Sequence, residues 1–104
     1  MDASYAELMH VIGESVNDAG GHRIGKVTQV ACEPNTLRPE WLVVKTSVFG
    51  RQRLVPLDLA EEADGVIRLP FDKETVLDAP VPEIAETPAA SERTALIRHY
   101  RQVA

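Results

Sequence analysis

Three histidines, one cysteine and a scatter of carboxylates are the residues of this chain that could do chemistry, and their spacing limits what that chemistry is. His10, His22 and His99 fall in three separate segments with no HxH or HxxxH spacing, whereas a zinc site needs donors that converge. Cys32 is the only cysteine, which excludes an intramolecular disulfide and a cysteine-ligated zinc cluster. No basic residue adjoins it, so it reads as a small buried apolar residue. Glu61, Glu62 and Asp64 precede Gly65, but a calcium loop wants oxygen ligands at alternating positions, and this cluster reads as a solvated turn. Ser15 and Ser47 have no histidine partner close in sequence and no nucleophile-elbow pattern. Gly20-Gly21 is not followed by a helix, as a phosphate-binding loop would be. No catalytic residue, metal ligand or cofactor site is read, and the expectation is a chain that is not an enzyme.

The chemistry left is recognition. Arg51 and Arg53, with Lys45 on the neighbouring strand, flank Phe49, and arginine beside an aromatic is a docking pattern. Leu96, Tyr100 and Val103 line one face of a C-terminal helix and could pack on a neighbouring copy. Phe49, Arg51, Arg53, Leu96, Tyr100 and Val103 are therefore the candidate interaction surface.

Positioning these residues falls to one small domain. The chain has 104 residues, 44% hydrophobic and 26% charged, enough for a single core and unlike a disordered segment. Its net charge of −5 repels phosphate backbones, so nucleic acid is not the expected partner unless a local basic patch overrules the total. No apolar run approaches the roughly 20 residues of a membrane-spanning helix. No basic-then-apolar leader pattern opens the chain. A cytoplasmic location is expected, with peripheral membrane association left open.

Tyr5, Leu8, Met9 and Ile12 have the spacing of one helical face within residues 1–12, with Asp2 as a possible cap. Short strands are expected over 14–17, 24–32, 41–46, 53–56 and 65–69, with turns at 17–21, at Phe49-Gly50 and at 61–64. The apolar positions of 24–32 break parity, which asks for a bulge or bend near Gly25. Trp41-Leu42-Val43-Val44 is apolar on both faces and reads as a central strand. Asp72 caps one helical turn ending at Ala79-Pro80. Three prolines between 80 and 88 mark a linker, after which Thr87 and Pro88 start a helix with a stripe of Ala89, Leu96, Tyr100 and Val103. Five short strands with tight turns suggest a small antiparallel barrel, since closure removes exposed edges.

The order of these elements resembles the PRC-barrel family. Ile12-Gly13, Val16-Asn17-Asp18, Gly20 and Ile24-Gly25-Lys26-Val27 carry the first part. Pro39-Glu40-Trp41-Leu42-Val43-Val44, Phe49-Gly50 and Leu54-Val55-Pro56-Leu57 carry the second. Val76-Leu77-Asp78-Ala79-Pro80 and Arg98-His99-Tyr100 are similar to standalone bacterial members. The resemblance implies a mainly β, SH3-like barrel over residues 13–80, with an N-terminal helical segment over 1–12 and a linker and helix over 81–104. It implies docking on a protein partner or on a second copy as a homodimer, without a cofactor. The photosynthetic reaction-centre H subunit and the ribosome-maturation factor RimM carry such barrels. An accessory of electron-transfer or membrane complexes, or a ribosome-assembly factor, are the alternatives it offers.

Overall fold

A computed structural model describes residues 4–47 and 50–102. It opens with α1 (Tyr5–Leu8) and a 3-10 turn (Met9–Val11). Ser4 caps α1 reciprocally: its hydroxyl accepts from the Glu7 amide, and the Glu7 carboxylate accepts from the Ser4 amide. Asp2, the expected cap, lies outside the described residues. The buried face is Leu8 and Val11. Of the expected stripe only Leu8 is buried: Tyr5, Met9 and Ile12 are each about two-fifths exposed.

Six strands follow: β1 (Ser15–Asn17), β2 (Arg23–Cys32), β3 (Pro39–Lys45), β4 (Gln52–Pro56), β5 (Glu61–Ala63) and β6 (Val66–Arg68). They form one sheet in the order β4-β3-β2-β1-β6-β5. All pairs are antiparallel except β1 with β6, which is parallel. This corrects the expected closed antiparallel barrel. The two edge strands do not pair. Pro56 ends β4 without an N–H, a 3-10 turn (Leu57–Leu59) follows, and β5 is only three residues long.

The segment 61–64, expected as a turn, contains strand β5. The turn proper is Asp64-Gly65, at φ of 55° and 75°, the positive pair that a tight two-residue hairpin demands. Its partner β6 sets Glu62 opposite Ile67.

β2 bends as its broken parity required. Ile24 is skipped in the register with β1, where Val16 faces Gly25 and Asn17 faces Arg23. A Cβ at Gly25 would stand 2.2 Å from the Lys45 carbonyl oxygen, so only glycine lets β2 and the end of β3 approach here. β3 is central, and Trp41, Leu42, Val43 and Val44 are all buried.

Asp72 caps α2 (Lys73–Leu77) by accepting from the Thr75 amide. The last helix, α3 (Ala90–Arg101), starts after Ala89, where the Glu92 carboxylate accepts from the amides of Ala89 and Glu83. It therefore begins later than the Thr87 start expected. Leu96 and Tyr100 enter the same core as Leu8, Val11, Trp41 and Leu54. Among the described residues no helix is long and apolar enough to cross a membrane.

Candidate functional site

The structure treats the six expected interaction residues differently. Phe49 and Val103 lie outside the described residues. Arg51 is exposed. Arg53 turns inward, its Nη1 donating to the carbonyls of Leu77 and Ala79, so it holds the end of α2 against β4. Leu96 and Tyr100 are buried on the chain's own sheet. The Tyr100 hydroxyl donates to the Leu54 carbonyl, its ring packs beside Phe71 and Trp41, and burial raises its pKa far above the usual tyrosine value. His99 donates from Nε2 to the Thr75 carbonyl, seating α3 on α2. Among the described residues of the helix stripe, Leu96 and Tyr100 are core and Ala89 is exposed.

A concavity of about 920 Å³ lies where α1, the 33–38 loop and the start of β3 meet. Tyr5, Leu37, Glu40, Asp58 and Arg93 line it, among others. Arg93 grips Glu40 with two hydrogen bonds of 2.6 Å, and the Trp41 Nε1–H donates to the same carboxylate. Leu37 stands on the rim at 72% exposure with φ of 60°, a left-handed conformation that costs a leucine energy. The loop imposes it. Glu33 accepts at its carboxylate from the amides of Asn35 and Thr36 and from the Thr36 hydroxyl, which holds its pKa below the usual value. Backbone bonds from Leu37 to Glu33 and from Glu33 to Arg38 close the loop. Sequence reading passed over Leu37 because φ is not written in a residue type.

A second groove, about 390 Å³, gathers Arg23, Lys26, Lys45 and Lys73 around Gly25. Lys45 had been expected to join Arg51 and Arg53. Its register partners are Gln52 and Lys26, and it lines the groove with the cations of β2 and α2. Among the described residues none of these four side chains has an ion-pair partner. The groove is a local basic patch on an acidic chain, suited to an anion.

The third feature is a cluster of His10, Glu14 and Glu62, whose nearest donor atoms all lie within 4.8 Å of one another. The 3-10 turn supplies His10, the residue before β1 supplies Glu14, and β5 supplies Glu62. His10 Nε2 is 2.7 Å from Glu62 Oε1, and Nδ1 is 2.7 Å from the Glu7 carbonyl oxygen. Burial, then the facing Glu62 carboxylate, pushes the Glu14 carboxyl up to about 7. Hydrogen bonds from Glu14 and His10 lower Glu62. The Glu62 contact raises His10. A search for histidine pairs could not find this group, because one histidine meets two glutamates from other segments.

Fold and surface together define a small mainly β domain with a curved, open sheet, a helix packed beside one edge strand and grooves of opposite charge. The chain belongs to the PRC-barrel domain family, whose match spans residues 8–76, well over half of its length. Among solved structures, it is similar to RimM of Pseudomonas aeruginosa, assigned to 16S ribosomal RNA processing. That similarity has a TM-score of 0.49 and 23% identity, and covers 62% of this chain and 43% of that one. The chain thus spans less than half of that relative. No curated protein matches the sequence.

Proposed function

We propose that this PRC-barrel chain is a non-catalytic docking module that binds a protein partner at the groove between α1 and the 33–38 loop. The observation that carries this reading is Leu37, a large apolar side chain held outward at a strained φ by a hydrogen-bonded loop. Strain kept at an exposed position is characteristic of contact sites, and a preordered apolar anchor binds without the cost of being immobilised. The lining contains Glu7, Glu33, Glu40 and Asp58 against Arg38 and Arg93, so the fitting partner presents an apolar side chain flanked by basic ones. A photo-crosslinking residue at position 37, in the native cell, tests it, with position 101 as the control. A discrete adduct from 37 alone supports the reading, and an adduct with a second copy makes the partner the chain itself. Adducts from neither position, or equally from both, overturn it.

A ribosome-assembly role is the second reading, and the basic groove of Arg23, Lys26, Lys45 and Lys73 favours it. Co-sedimentation with ribosomal particles at low salt, abolished by Lys26→Glu with Lys45→Glu, would support it. No co-sedimentation would remove it.

A further inference from the structure

We propose that His10, Glu14 and Glu62 form a binding site for a divalent transition-metal ion of the zinc class. The hydrogen-bonding arithmetic of the cluster is the argument. Nδ1 of His10 faces the Glu7 carbonyl at 2.7 Å. A carbonyl only accepts, so Nδ1 carries the hydrogen. A neutral imidazole then points its Nε2 lone pair at Glu62 Oε1, also 2.7 Å away. Two acceptors at that distance need a proton or a cation between them.

Glu14 makes the same demand a second time. Its Oε1 is fully enclosed, and no N–H or O–H of the described residues reaches it. One of its carboxylate oxygens lies within 4.8 Å of both the Glu62 carboxylate and the His10 ring nitrogen. Two protons would make the three groups compatible, and one divalent ion does the same. The donor set fits such an ion. Zinc binds imidazole nitrogen and carboxylate oxygen at about 2.0–2.2 Å, and ligands at that radius lie roughly 3–4 Å apart, close to the spread seen here. The Glu7 carbonyl is the outer partner that a ligating histidine needs to fix its tautomer and its ring. Three protein ligands leave a position for water. Imidazole with carboxylate favours a transition metal over calcium or magnesium, which prefer oxygen alone.

The ion would join the N-terminal turn to the β5–β6 hairpin, two segments otherwise linked here by the exposed His10–Glu62 contact. Calorimetric titration of the full chain with Zn²⁺, and with Co²⁺ followed by visible absorption, tests the site. One equivalent is expected to bind at pH 7, with protons released as the ion displaces them and a rise in melting temperature. His10→Gln and the near-isosteric Glu62→Gln are each expected to weaken binding at least tenfold. His22→Gln, at an exposed histidine remote in sequence, is expected to leave it unchanged. Circular dichroism of each variant establishes that it is folded. Absence of saturable binding, or equal affinity in native and His10→Gln chains, overturns the proposal.

Discussion

Tyr100 and Leu54, 46 positions apart, are joined by a hydrogen bond from the phenolic hydroxyl to the main-chain carbonyl of edge strand β4. Both residues are buried. An edge strand leaves backbone groups that seek partners, and here the C-terminal helix answers one of them where a closed barrel would have used another strand.

Removing only that hydroxyl is informative. Tyr100→Phe keeps the ring packed against Phe71 and Trp41 but deprives the Leu54 carbonyl of its donor, which costs about 1–3 kcal/mol when the acceptor stays buried. Urea unfolding should show a lower midpoint with an unchanged slope. An unchanged midpoint would mean that water replaces the hydroxyl.

The tail behaves as part of the core. A chain ending at Pro80 lacks Leu96 and Tyr100, each worth ~1.5–3 kcal/mol of burial, and the Arg93–Glu40 pair. Against a typical total of ~5–15 kcal/mol, that loss should leave the truncated chain largely unfolded or loosely packed. Near-ultraviolet circular dichroism and binding of an apolar dye would report it. A cooperative transition like that of the full chain would show that the sheet stands alone.

Leu37 separates stability from binding. Leu37→Gly relieves a left-handed backbone that costs an L-residue roughly 1–2 kcal/mol, partly offset by glycine's greater freedom when unfolded. The variant should be as stable as the native chain or up to about 1 kcal/mol more so, while losing capture of the partner. Lower stability would show that the side chain serves packing instead.

Acid should act through Asp18. Its carboxylate is buried and accepts from the amides of Gly20, His22 and Lys73. Burial alone raises the carboxyl, but the amides of His22 and Lys73 and the His22 ring outweigh it and hold the group below its ordinary 3.8. The folded state therefore binds this proton less readily than the unfolded one. The stabilisation is complete above pH 3.8 and fades as pH falls through the lowered value. Asp18→Asn should be less stable at pH 6, because an amide presents N–H groups where only acceptors fit, and should lose less stability between pH 4 and pH 2. Parallel acid profiles for the two chains would contradict this.

Much of the frame was legible along the chain. Asp72 read as a cap and is one, because its side chain needs only the amide three residues on. Trp41-Leu42-Val43-Val44, apolar on both parities, read as a central strand and is buried throughout. The parity break in β2 announced the bend that Gly25 permits. Two further features are local as well: Ser4 with Glu7 as a capping box, and Asp64-Gly65 as a hairpin turn that makes a strand of Glu61–Ala63.

What depended on the sequence alone was therefore local: where strands and helical turns form, where a strand must bend, and the order of elements that marks the family. Tertiary structure decided the rest, because those outcomes depend on distances between residues remote in the chain. It left the sheet open, with edge strands β4 and β5 not paired to each other. It turned Leu96 and Tyr100 inward onto the chain's own sheet, a choice that an apolar stripe cannot express because any apolar surface would satisfy it. It also brought His10 within 2.7 Å of Glu62, 52 positions away, a meeting that no spacing rule encodes.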